Sequence, residues 1–201
     1  MNDRITDIAG AILAGGKNTR MGGVEKSFIK INGIPIIERT INLLNGIFDE
    51  ILIITNKPEN YIKYKNCLIV TDIIKDIGPL GAVLTAINRT SKPAVFCVAC
   101  DMPFLDGSII SRQLSYFKKG DFDALVPRIG EFIEPLHAIY AKRIEEKMLH
   151  FVKRSPDLSI RRFLREINVG YWELEDNPFH RKVFKNLNTI EDVYEIGGQL
   201  K

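Results

Sequence analysis

Two glycine pairs bracket a cation in the stretch AILAGGKNTRMGGVEKSFIKING, Ala11 to Gly33. Gly15 and Gly16 end an apolar run, Arg20 follows, then Gly22 and Gly23, and Lys26 closes the group. Glycine lets a backbone adopt positive φ and come close to a ligand. Successive peptide N–H groups in such a turn make a concave anion site. Arginine adds a planar fork of donors and lysine a compact charge, both suited to phosphate oxygens. The chemistry on offer is polyphosphate binding, although glycines and cations alone are equally compatible with a solvated surface loop. The spacing excludes two familiar phosphate loops. A Walker A loop needs glycine directly before Lys-Ser/Thr, and Glu25 stands before Lys26-Ser27. The four glycines do not space as G-x-G-x-x-G, which excludes the dinucleotide fingerprint.

Three more polar residues follow apolar runs of strand length: Asn56 after EILIIT, Asp72 after CLIVT, and Asp101 after AVFCVAC. Each has a competing local use. Asn56 can initiate a turn before Lys57-Pro58. Asp76 can take the role of Asp72. Asp101 can cap or turn the chain into MPFL.

The elements that must position these residues alternate. ITDIAGAILA (5–14), EILIITN (50–56), CLIVTD (67–72) and AVFCVACD (94–101) are short, apolar and rich in β-branched residues, hence strands. IPIIERTINLLNGI (34–47) has apolar residues at helical spacing, and GPLGAVLTAINRT opens a helix with Pro79 in its first turn. Near-continuous apolar strands separated by helices predict a mostly parallel α/β sheet with helices on both faces, a three-layer arrangement. In such sheets ligands bind beyond the carboxyl ends of the strands. Gly15–Gly16, Asn56, Asp72 and Asp101 are all expected on that one edge. Further on, DALVPRI and FIEPLHAIYAK read as two strands around a turn at Gly130, and KRIEEKMLHFVKR and SIRRFLREI as helices. YWELE reads as a strand, and NTIEDVYEIGG as a helix capped by Asn188 or Thr189. Cys97 and Cys100 have C-x-x-C spacing, but residues three apart on a strand face opposite sides, so both are expected as core. His137 is expected as a satisfied strand histidine.

The chain has 201 residues, with 28 Lys and Arg against 25 Asp and Glu. The length fits one domain, 1–201, and the looser pattern after Leu105 divides it into halves 1–105 and 106–201. The excess of positive charge is small and dispersed, too small to argue for a nucleic-acid partner. No apolar run reaches the roughly 20 residues of a membrane span, and the N-terminus lacks a signal-peptide core. Cytoplasmic location is the expectation.

LAGGKNTRMGGVEK resembles the L-A-G-G-x-x-x-R-M-G-x-x-x-K signature of Rossmann-like nucleotidyltransferases, with Glu25 where many members carry Asp. Four later segments resemble the molybdenum cofactor guanylyltransferases: GPLGAVLTAI, CDMPFL (100–105), EPLHAIY (134–140) and FKNLNTIEDV (184–193), the last with Ile190 where Pro is usual. The resemblance implies transfer of GMP from GTP to Mo-molybdopterin with release of pyrophosphate. The alternatives are a cytidylyltransferase acting on the same acceptor and a sugar-phosphate nucleotidyltransferase.

Carried over position by position, the resemblance gives Leu13, Ala14, Gly15 and Gly16 to the base and phosphates, and Arg20 and Lys26 to phosphate oxygens. Asn56, Asp72 and Gly78 would shape the nucleoside pocket. Asp101 would hold Mg²⁺, which favours one or two carboxylates plus substrate phosphates. Lys26, Asp101 and Arg20 form the implied catalytic set. Asn186 and Asn188 would face the molybdopterin acceptor. Transient contacts with molybdenum-insertion proteins or apo-molybdoenzymes are also implied.

Overall fold

The structure, a computed structural model, describes residues 4–15 and 25–199. Within them an eight-stranded sheet runs in the order β10-β7-β9-β6-β1-β4-β5, with β8 paired to β7. The central strands are β1 (Ile8–Leu13), β4 (Ile51–Ile54), β5 (Leu68–Val70) and β6 (Ala94–Ala99), all mutually parallel. Beyond them lie β7 (Ala124–Ile129), β8 (Phe132–Ile133), β9 (His137–Ala141) and β10 (Val169–Glu173). Strand β9 is antiparallel to both β6 and β7, and β10 is parallel to β7, so the sheet is mixed but mostly parallel.

Alternation along each strand divides the core into two layers. Ile8, Ile12, Ile53, Phe96 and Val98 pack with Ile37, Ile41 and Leu44 of α1 (Ile36–Asn45) and Ile109, Ile110 and Leu114 of α3 (Gly107–Phe117). Ala11, Leu13, Leu52, Ile54 and Val95 pack on the opposite face. Their partners there are Leu80, Val83 and Ile87 of α2 (Pro79–Arg89), Met148 and Phe151 of α4 (Glu145–Arg154), and Phe163 of α5 (Ile160–Leu164). The three-layer expectation is met. Cys97 and Cys100 pack in opposite layers, as their spacing required.

Some boundaries differ from the sequence reading. The helix expected from Ile34 starts at Ile36, because Ile34–Pro35 (β3) pairs with Lys30–Ile31 (β2). Strand β2 also pairs with β11 (Gly198–Gln199), giving a separate three-stranded sheet that joins residues 30–35 to the C-terminal segment. Ile29, Ile31, Ile36, Leu187 and Val193 are its core. The segment 132–142 is not one strand: β7 and β8 form a hairpin around Gly130, whose φ is +57°, and the chain then breaks at Glu134-Pro135 before β9. Proline has no N–H for the ladder, and both the peptide N–H of Leu136 and that of His137 turn back onto Glu134. Helices α6 (Pro178–Val183) and α7 (Ile190–Glu195) complete the chain, and α7 is capped by Thr189 in a reciprocal pair with Asp192.

Candidate active site

Parallel register brings the four strand ends level. Leu13 is paired to Ile54 and to Ala99, and Ile54 to Val70. The ladder then continues past the strands: Ala14 N–H donates to Ile54, Cys100 N–H to Leu13, and Thr55 N–H to Val70. Ala14, Gly15, Asn56, Asp72 and Asp101 therefore leave the sheet on its carboxyl edge together, as expected. Gly16 and Arg20 lie outside the described residues.

The first cluster is Lys26, Asp101 and Asn188. Lys26 Nζ lies 2.8 Å from Asp101 Oδ2 and 3.5 Å from Asn188 Oδ1. Three separate devices build it. Lys26 opens a single 3-10 turn, Lys26–Phe28. Asp101 lies two residues past the end of β6, and the cap of α3 is Asp106. The small second sheet returns the C-terminal segment, and Leu187 N–H donates to the Asp101 carbonyl at 2.9 Å. Thr189 does the helix capping, which leaves the Asn188 side chain for Lys26.

The second cluster is Asn56, Asp72 and Gly15. Asn56 Nδ2 donates to Asp72 Oδ2 at 2.7 Å. The turn use open to Asn56 is taken by Thr55, whose hydroxyl accepts from Lys57 N–H. Asp72 Oδ1 is buried and has no hydrogen-bond partner among the described residues. Burial pushes the Asp72 carboxyl above its ordinary range, against the opposing influence of Asn56 and of the Thr85 hydroxyl, which itself donates to the Gly81 carbonyl. A buried acceptor without a donor costs free energy, and a ligand N–H or O–H would satisfy it. A Cβ on Gly15 would stand 3.9 Å from Asp72 Oδ2, so the bare backbone there borders this carboxylate. Gly78 has φ +64° and ψ −151°, a conformation open almost only to glycine, and it leads into α2 directly.

The third cluster was not assigned from sequence. Glu134 is 7% exposed. Its Oε1 accepts from Leu136 N–H at 3.1 Å and its Oε2 from Asn186 Nδ2 at 3.0 Å. Desolvation pushes its carboxyl upward, and the charge of Asp101 adds to this. Glu134 thus joins Asn186 to the Asp101 region. The one sequence signal was a carboxylate directly before Pro135 inside a strand-like run.

His137 departs from expectation. It lies on a strand and is fully buried, yet neither ring nitrogen has a hydrogen-bond partner. Its ring sits edge-on between Phe96 and Phe184, each centroid 4.9 Å away.

Among the described residues no group of three or more His, Cys, Asp or Glu converges on one point. The donor set at Asp101 is therefore a single carboxylate, already facing a cation. That suits a magnesium-type ion completed by phosphate oxygens and water, and not a metal held in an all-protein cage.

A protein of Peptoclostridium acidaminophilum named "Probable molybdenum cofactor guanylyltransferase" is 37% identical over 192 residues, covering 90% of this chain and 85% of its own. The molybdopterin-guanine dinucleotide biosynthesis protein A of Archaeoglobus fulgidus superposes with a TM-score of 0.79 at 22% identity, covering 94% of this chain and 96% of that one. Rv0371c of Mycobacterium tuberculosis, solved in complex with manganese, superposes with a TM-score of 0.69 at 12% identity, covering 94% and 97%. Both superpositions show a shared fold. Residues 10–171 match the MobA-like NTP transferase domain, and the chain belongs to that family.

Proposed function

We propose that this protein transfers GMP from GTP to Mo-molybdopterin, forming molybdopterin guanine dinucleotide and pyrophosphate. The observation that carries the reading is the pair of clusters at one sheet edge. Lys26, Asp101 and Asn188 form a charged group, and Asp72, three strands away along the same edge, holds an unpaired buried acceptor. The name of the Peptoclostridium relative supports guanine and molybdopterin as the substrates.

In this reading a phosphate oxygen of the acceptor attacks the α-phosphorus of GTP, the bond from that phosphorus to the β-phosphate oxygen breaks, and pyrophosphate leaves. No covalent enzyme intermediate is needed. Leu13, Ala14, Gly15 and Gly16 present backbone to the nucleotide. Asp72 accepts from a base or ribose donor, and Asn56 holds it in place. Lys26 and Arg20 neutralise phosphate oxygens as two polyanions approach. Asp101 would hold Mg²⁺, which when bound polarises phosphoryl oxygens and offsets charge on the leaving group. Asn186 and Asn188, in the acceptor half, face the molybdopterin. The product then passes to an apo-molybdoenzyme in a transient contact.

The test is pyrophosphate release with Mg²⁺ and Mo-molybdopterin, run in parallel with GTP, CTP, ATP and UTP. Release with GTP alone is expected. Release with CTP instead would retain the residue roles and change the base. No release with any of the four would remove this acceptor from the reading.

A further inference from the structure

The residues on either side of Lys26 in sequence are bound to one buried phenol. Tyr61, from the 3-10 turn that follows β4, is fully buried. Its hydroxyl lies 2.8 Å from Glu25 Oε1 and 2.6 Å from Ser27 Oγ. A carboxylate only accepts, so Tyr61 donates its single proton to Glu25. Ser27 must then donate to Tyr61, which fixes the direction of the chain as Ser27 to Tyr61 to Glu25. The second Glu25 oxygen accepts from Asn60 Nδ2 at 2.7 Å. Consecutive residues, Asn60 and Tyr61, thereby hold both oxygens of one carboxylate.

The support reaches into the core. The Tyr61 ring packs against Phe28 and Tyr64, with centroids 5.2 Å and 6.3 Å away. Burial raises the phenol's pKa far above its ordinary value, so it keeps its proton throughout the working range. Glu25 is the first described residue after the glycine-rich stretch, and Ser27, fully buried, lies within the Lys26–Phe28 turn. Pinning the side chains of positions 25 and 27 to one hydroxyl restrains the backbone between them, and the Lys26 side chain leaves that segment with Nζ on Asp101 and Asn188.

We propose that Tyr61, together with Asn60, is a positioning residue that sets Lys26 for the substrate triphosphate by clamping Glu25 and Ser27. This rests on the phosphate role of Lys26 given above. A phosphate-binding lysine works through geometry, and a displacement of about 1 Å can cost on the order of 100-fold in rate.

A double-mutant cycle on GTP affinity tests it, since residues that act through one another do not add. Tyr61→Phe removes the hydroxyl and keeps the ring. Asn60→Ala alters an exposed residue and carries little risk to folding. Each is measured alone and with Lys26→Ala. With Lys26 present, Tyr61→Phe should weaken GTP binding about tenfold, the scale of one hydrogen bond to a charged group, and Asn60→Ala by less. With Lys26→Ala, neither should weaken it further. If Lys26→Ala weakens binding but either variant is silent or adds fully to it, the clamp is refuted and the lysine's role stands. If Lys26→Ala leaves GTP affinity unchanged, the phosphate role of Lys26 falls, and the clamp's purpose falls with it.

Discussion

Lys26 Nζ and Asp101 Oδ2 lie 2.8 Å apart, joined across 75 positions of sequence, with side chains only 16% and 17% exposed. In this contact each neutralises the other. In the proposed reaction each has a different partner, phosphate for the lysine and metal for the aspartate. Lys26→Met should therefore act in opposite directions on two ligands. GTP affinity should fall by roughly 10- to 100-fold, the scale of a lost bond to a charged group. Mn²⁺ affinity without nucleotide, followed by electron paramagnetic resonance, should rise, because Asp101 loses its competing cation. Unchanged Mn²⁺ binding would remove Asp101 from the metal role.

Asp101→Asn keeps the shape of the side chain and removes its charge. Turnover should fall by about 1,000-fold or more, on the scale of losing one preorganised electrostatic group. The circular dichroism spectrum should not change, because the Asp101 contact with Leu187 is made by its backbone carbonyl. Substantial turnover would mean that another group carries the charge.

Asp72 should control nucleotide KM more than kcat. Its Oδ1 is the unpaired buried acceptor, and Asp72→Asn turns part of that acceptor set into donors. A rise in KM of about 10-fold or more is expected, with a smaller effect on kcat. The pH dependence follows from the raised pKa of the Asp72 carboxyl. As pH falls through that raised value the carboxylate gains a proton and ceases to be a pure acceptor. Nucleotide KM should thus climb on the acid side sooner than an ordinary aspartate would make it.

Glu134→Ala should separate the two substrates. It leaves Leu136 N–H and Asn186 Nδ2 without their acceptor. An unsatisfied buried group costs about 1–3 kcal/mol, to be read from urea unfolding. The acceptor KM should rise as Asn186 loses its anchor, and GTP affinity measured alone should hold. A fall in GTP affinity as large as the acceptor effect would show that Glu134 supports the whole edge.

His137 should make the protein acid-sensitive. Desolvation lowers its pKa from 6.5 to about 4. The unfolded chain therefore takes up the proton first as pH falls. The contribution to stability is complete above the unfolded value of 6.5 and is lost progressively between there and about 4. Between pH 7 and pH 5 this amounts to about 2 kcal/mol. His137→Leu should flatten that part of the urea-unfolding profile. An equal slope in both proteins would assign the acid sensitivity elsewhere.

Much of this molecule is determined by its sequence alone. Apolar runs such as AVFCVA, alternating with segments of helical period, admit little besides a covered parallel sheet, because each strand must bury both faces. Parallel strands in turn place their carboxyl ends on one edge, so Gly15, Asn56, Asp72 and Asp101 could be grouped before any coordinate. What the tertiary structure decided are contacts between residues distant in sequence, where periodicity carries no information. The small sheet of β2, β3 and β11 brings Asn188 to Lys26, yet its strands are two residues long and have no readable pattern. The Glu134 bond to Asn186 spans 52 positions, and the Tyr61 bond to Glu25 spans 36. Short polar side chains become partners only when the fold has removed water around them and fixed their distance. For the same reason His137 could be read as a strand residue but not as one without a partner. Its surroundings, Phe96 and Phe184, come from another strand and from the end of α6, and only packing sets them against its ring.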